Sequence, residues 1–319
     1  MMKKVLLTAL GLVLAGGFVF AGGASGQSGK AVIGFSQATM ASPFYVSHVE
    51  AARVRASELG VDLIVADANE NVVKQNQDIA DMLQRGIKVL IINAVDPDGA
   101  APALAACAQR KVPVITVDRF LNGNTDAVIG RDNVLMGQAV GNAIVAALGG
   151  KGKAQGKILE VMGSGGDRVQ EARSKGFHNA VDSESGIVVV QTPYCDYVRS
   201  KAAAATQDII QRHKDIVMIY GHNDDMALGA LQVCEDAGLK VQCAGVDGLM
   251  EAVEAITRNR YLATSANDPF AFGRQAVEVA VKIINGEFTG KEVDAGTFLI
   301  DASNAAKYYD PSIAFAAEK

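Results

Sequence analysis

The sequence predicts an α/β protein made of two doubly wound parallel-sheet lobes. Three observations carry that prediction. Short apolar runs alternate with helical patterns along almost the whole chain. The runs are continuous rather than alternating, as in strands buried on both faces of a parallel sheet. They are also too many for one small sheet. Finally, polar residues gather just after several runs: Ser36-Gln37, Asp118-Arg119, Asn223-Asp224, Asp247 and Asn267-Asp268. In open parallel sheets the ligand crevice lies outside the carboxyl ends of the strands. Two lobes with those edges facing each other enclose a single cleft.

The elements follow in order. Residues 31–35 form a strand, and Ser42-Pro43 supply the cap and first residue of a helix. Tyr45, Val49, Ala52, Ala56 and Leu59 share one face of that helix, and Gly60 ends it. A strand at 61–66 leads to a helix with Val72, Asn76, Ile79 and Leu83 on one face, ended by Gly86. Next come a strand at 89–93, a helix at 97–109 and a strand at 113–117. A second series starts after Asp132-Asn133. Helices are expected at 134–148, 168–181, 198–212, 224–237, 249–258 and 269–285. Strands are expected at 158–162, 187–191, 216–220, 241–246, 262–265 and 298–300.

Composition narrows the function. Of 319 residues, 49% are hydrophobic and 20% charged, which excludes a wholly disordered chain. The net charge is −5 without runs of like charge, so a nucleic-acid partner is not expected. The four histidines do not cluster with cysteine at metal-ligand spacing, so neither a metal nor another cofactor is expected.

Lys3 and Lys4 precede an uncharged apolar stretch at residues 5–20. Val19-Phe20-Ala21 then fits a signal-peptidase site. The stretch is shorter than the roughly 20 residues that a membrane span needs. Residues 1–21 therefore read as a signal peptide and the protein as periplasmic, with an uncleaved anchor as the competing reading. Export permits disulfides. Cys234 and Cys243 flank a helix-to-strand turn where a bridge is possible, while Cys107 and Cys195 suggest no pairing. Unpaired buried thiols account for the four cysteines at least as well.

Several segments, in order, carry a resemblance. They are Gly34-Phe35-Ser36-Gln37, Pro43-Phe44-Tyr45, the stretch from Pro113 to Arg119, Asp132-Asn133, His222-Asn223-Asp224-Asp225-Met226-Ala227-Leu228-Gly229-Ala230, and Gly245-Val246-Asp247-Gly248. Together they resemble the ribose-type periplasmic sugar-binding proteins of ABC importers. The Gly-Phe-Ser-Gln segment and the His222-to-Asp225 stretch are more similar to the galactofuranose-binding branch. The family also shares its fold with the effector-binding core of lac-repressor-type regulators, but here a leader stands where a DNA-binding segment would. The resemblance implies a type I periplasmic binding protein with three crossings between lobes. It implies a first lobe of 30–131 plus 268–295 and a second of 132–267 plus 296–319.

The resemblance also implies the ligand-binding set. Asp118 and Asp247 would accept from hydroxyls, and Arg119 and Arg173 would donate. Asn223 and Asn267 would do either, Asn267 standing where the ribose binder has a Gln. Phe44, Tyr45 and Tyr197 would cover apolar sugar faces. Ser36, Gln37 and Ser42 complete the set. Ser42 replaces an Asn of the ribose binder, and the loop before Pro43 is two residues longer.

Weaker patterns point elsewhere. Gly163-Ser164-Gly165-Gly166 lacks a P-loop ending and reads as a plain strand-to-helix loop. Asp224-Asp225 reads as acidic residues favoured by a helix dipole. No nucleophile motif marks a catalytic residue. The expected function is capture of a small sugar or polyol by hinge closure and delivery to an ABC permease. The chain would act as a monomer and meet the membrane only through that permease. The alternatives are an exported sugar-active enzyme using the cleft carboxylates, or a sensor subunit feeding a chemoreceptor. The residues do not name the sugar. The leader gives a direct test: the exported protein should begin near Gly22 by intact mass, and a retained leader contradicts cleavage.

Overall fold

The computed structural model describes residues 29–317, so the predicted leader lies outside the described residues. Two six-stranded sheets form the scaffold, each covered by helices. The first runs β11-β5-β4-β3-β1-β2 and is parallel throughout. Its strands are β1 (Val32–Gln37), β2 (Asp62–Asp67), β3 (Val89–Ile92), β4 (Val114–Val117), β5 (Ala127–Gly130) and β11 (Glu292–Asp294). The second runs β12-β10-β9-β8-β6-β7. It holds β6 (Gln155–Val161), β7 (Gly186–Gln191), β8 (Ile216–Gly221), β9 (Gln242–Asp247), β10 (Ala263–Ala266) and β12 (Leu299–Asp301). Here β12 runs antiparallel to β10, so this sheet is parallel except at one edge. Both sheets change winding direction beside their first strand, between β1 and β3 and between β6 and β8. Ligand crevices open at such points.

The apolar runs form the core as their lack of alternation requires. Ile33, Phe35, Ile91 and Ile115 are fully buried in the first sheet, as are Ile158, Leu159, Ile219 and Val246 in the second. The main helices are α1 (Pro43–Glu58), α2 (Val72–Gln84), α3 (Ala101–Arg110), α4 (Asn133–Ala147), α5 (Arg168–Val181), α6 (Arg199–Ile210), α7 (Asp224–Asp236), α8 (Met250–Thr257) and α9 (Pro269–Ile284). A short α10 (Ala305–Tyr308) follows β12.

The sequence reading missed β5, β11 and α10. Each has only three or four residues, and the acidic ends of β11 give no apolar run. Helix α3 starts at Ala101 rather than 97. Before it, the Asp96 carboxylate accepts from the amides of Asp98 (2.9 Å) and Gly99 and folds those residues into a turn. The four cysteines are buried free thiols. Cys243 contributes a thiol that donates to the Ala227 carbonyl at 3.4 Å instead of bridging to Cys234.

Helices α4 and α5 touch through glycine. A Cβ on Gly176 would overlap the Val134 carbonyl, and one on Gly137 would overlap the Arg173 carbonyl. These are backbone clashes that rotamers do not relieve. Alanine is the better helix former by up to about 1 kcal/mol, but forcing two backbones apart costs more. Gly176→Ala should therefore destabilise the protein by about 1–3 kcal/mol in urea unfolding. An unchanged midpoint contradicts this packing.

Candidate ligand-binding site

A small cavity lies between the carboxyl edges of the two sheets. Ser42, Phe44, Tyr45 and Asp118 line it from the first sheet's side. Val169, Arg173, Tyr197, Asn223, Asp247 and Asn267 line the other side and the crossing. The space left free inside it is about 10 Å³, about what one water molecule needs.

Strand ends aim the carboxylates. Asp118 directly follows β4 with φ 62°, and Asp247 ends β9 with φ 122°. Side chains other than glycine seldom adopt these angles, and such strain gathers at functional positions. Asn267 follows β10, and its Nδ2 donates to Asp247 Oδ1 at 3.0 Å. Arg173, on α5, places Nη1 3.5 Å from the same oxygen. Its Nε donates to Asn133 Oδ1 at 2.9 Å, and its Nη1 donates to the His222 carbonyl at 2.6 Å. Asn223 caps α7 with its side-chain oxygen, which accepts from the Met226 amide, so its NH2 group is the part left for a ligand.

Burial governs the charge state. It pushes the Asp247 carboxyl up to about 7, against the Arg173 guanidinium and the Asn267 amide. Asp118 is also raised by burial, with Arg173 opposing.

Three predicted residues sit outside the cavity lining. Ser36 accepts from Gln75 Nε2 at 3.1 Å on the α2 side of the sheet. Gln37 is fully buried, and neither of its amide atoms has a partner. Arg119 is engaged by protein groups. Its Nε and Nη2 donate to the Tyr45 hydroxyl at 3.2 and 2.9 Å, and Nη1 and Nη2 donate to the Glu70 carboxylate at 3.2 and 3.1 Å. Across the cleft, Asp167 Oδ2 lies 3.8 Å from its Nε and accepts from the Tyr197 hydroxyl at 2.7 Å.

Other groups escaped the sequence reading. Asn93 follows β3, is fully buried, donates to Asp118 at 3.5 Å and has an unpartnered Oδ1. The strand-end rule that selected Asp118 applies to it equally. Asp167 and Val169 flank the start of α5, and Arg131 follows β5. Nothing in residue type alone separates these from an ordinary loop or helix start. Asp224 lies in the first turn of α7, as expected, and is held there by more than the helix dipole. It is fully buried and accepts from Tyr261, Thr264 and the Leu249 amide at 2.7–2.9 Å. The Gly163–Gly166 loop instead packs on aromatic rings, Gly163 against Tyr197 and Gly165 against Tyr194.

Residues 33–288 match the family model described as the periplasmic binding protein domain. The chain belongs to this family. It is 32% identical to the ribose import binding protein of Bacillus subtilis over 272 residues, which cover 85% of this chain and 87% of the relative. Identity to the galactofuranose-binding protein of Escherichia coli is 27% over 235 residues, covering 70% and 73%. Both likenesses run along most of the chain, and identity to the ribose binder is the higher of the two. Among solved structures, an ABC transporter solute-binding protein from Mycobacterium smegmatis with bound glycerol matches at a TM-score of 0.87. That pair shares 48% identity, with 91% of this chain and all of that one covered.

The buried carboxyls set a pH dependence. Asp247 and Asp224, the latter raised to about 8 mainly by burial, hold protons in the native state that the unfolded chain has lost. Stability therefore falls as pH rises toward 7–8. His178, raised to about 9 chiefly by its hydrogen bond to Glu160, adds stability below its unfolded value near 6.5 and loses it as pH rises through 9. Both effects have one sign. The ligand-free melting temperature should drop by roughly a few degrees from pH 6 to 9, and Asp247→Asn should flatten that slope. A melting temperature that rises over this range contradicts burial as the controlling term.

Proposed function

We propose that this chain is a periplasmic solute-binding protein that captures a small, uncharged sugar or polyol and delivers it to an ABC importer. The observation that carries the reading is the cavity itself. Carboxylates, amides and a guanidinium from two sheets converge on one cavity walled by Phe44, Tyr45 and Tyr197. Hydroxyls both donate and accept, so a polyhydroxylated molecule satisfies Asp118, Asp247 and donor-only Arg173 together. Its C–H faces suit the aromatic rings. The Mycobacterium smegmatis protein, with glycerol bound, shows that a close structural relative holds a polyol. The ribose binder supports a pentose equally.

The proposed ligand set is Asp118, Arg173, Asn223, Asp247, Asn267, Ser42, Phe44, Tyr45 and Tyr197. Ser36, Gln37 and Arg119 support it from behind. The mechanism is hinge closure. The lobes of 30–131 plus 268–295 and 132–267 plus 296–319 rotate about three crossings, and a ligand touching both favours the closed form by its differential contacts. A binding role, rather than acid–base chemistry, is supported by the engagement of both carboxylates with amide donors. The relatives named above are binding proteins. The mature chain is proposed to work as a monomer, and the permease would read its closed shape.

A thermal-shift screen against pentoses, furanose hexoses and short polyols tests the reading, because a ligand that binds only the folded state raises its melting temperature. Asp118→Ala and Asp247→Ala should each weaken binding about a hundredfold or more by calorimetric titration while circular dichroism stays unchanged. Each carboxylate stands to lose two charge-assisted hydrogen bonds. Affinity near that of the wild type removes that residue from the site.

A further inference from the structure

Arg131 is a buried arginine that the family motifs do not single out. It directly follows β5, where the chain first leaves the first sheet. Its Nη1 donates to Asn267 Oδ1, and its Nη2 donates to the Asp268 carbonyl at 3.1 Å. Both partners follow β10, where the chain leaves the second sheet. The guanidinium also lies 4.2 Å above the Phe272 ring. Its Nε is buried without a partner. One side chain thus ties two crossings together beside the ligand cavity.

We propose that Arg131 is a positioning residue for ligand capture: it fixes the orientation of the Asn267 amide, and through that amide the Asp247 carboxylate. The proposal rests on the binding reading above and deepens it. The chemistry of the three groups leaves one arrangement. A guanidinium only donates, the Asp247 oxygen beside Asn267 accepts, and an amide has one end of each kind. With Arg131 on its oxygen, Asn267 must turn its NH2 toward Asp247, as found. A flipped amide would oppose two oxygens on one side and N–H donors on the other. Asp247 Oδ1 is then held by Asn267 with Arg173 close by, and Oδ2 is the oxygen presented to a hydroxyl. Because Asn267 sits on a crossing, the same contact couples the hinge to the site. Lysine does not replace this fork, since its ammonium is a point charge on a flexible stem. Arg131 also supplies positive potential to a crowded set of charges. Asp247 faces Arg173 from α5, Asp118 from the end of β4, Asp224 from α7, and Arg131.

A double-mutant cycle tests the proposal, with D-ribose and glycerol as probes in calorimetric titration. Arg131→Met should weaken binding by roughly tenfold in the wild-type background, within the range for touching residues. In the Asn267→Ala background the same change should have almost no effect. Equal losses in both backgrounds would show general structural damage and overturn the proposal. A ligand-free measurement stands beside the cycle. In carboxyl NMR titration, the Asp247 midpoint should move upward in Arg131→Met, and an unchanged midpoint also overturns it. If neither probe binds the wild type, the binding reading fails for those molecules while the titration still judges Arg131. Should Arg131→Met fail to fold, Arg131→Lys, which keeps the charge but loses the fork, enters the same cycle with the same expected loss.

Discussion

The structure depends on placing ionisable groups where water is scarce. Asp118, Asp247, Arg173 and Arg131 are all nearly buried between two sheets. An isolated buried charge is costly, so each needs partners of opposite sign or a hydrogen-bonding ligand. The fold answers with facing strand ends. Parallel strands deliver their last residues to one edge, and two such edges placed opposite each other bring acids from one sheet near bases from the other. The groups of the cleft are therefore partly satisfied by one another.

That arrangement has costs that explain features far from the ligand. Asp118 and Asp247 adopt backbone angles that side chains avoid, and tight surroundings must hold them there. Glycine contacts between α4 and α5 set the Arg173 backbone against α4, where its Nε donates to Asn133 Oδ1. Arg119 stands at the other wall. Its donors serve Tyr45 and Glu70 on its own side, and its charge faces Asp167 and the Tyr197 ring across the cleft. The cleft thus brings groups of the two walls into direct contact with each other.

Much of this was legible in the sequence. Continuous apolar runs with polar residues at their ends identified both sheets and, in the cavity wall, Asp118, Asn223, Asp247 and Asn267, because burial on two faces and strand-end placement leave direct traces; Ser42, Phe44, Tyr45, Arg173 and Tyr197 came from the family resemblance. Short edge strands left none: β5 and β11 gain their pairing from neighbours, not from their own composition. Arg119 shows a different limit. Residue type and family resemblance assigned it to the ligand set, but its donors are taken by Tyr45 and by Glu70, which the loop between β2 and α2 carries. Asn93 was legible and overlooked, since it ends β3 as Asp118 ends β4. Arg131 was not, because an arginine before Asp132-Asn133 reads as a solvated loop charge until the second crossing is seen beside it.

The central claim is that two lobes close on a small polyhydroxylated molecule. Small-angle scattering of the mature protein, with and without a saturating sugar or polyol from the screen, tests it most directly. The account predicts a smaller radius of gyration with ligand, because bridging contacts shift the population toward the closed form. A bound protein whose radius of gyration equals that of the free protein would contradict it.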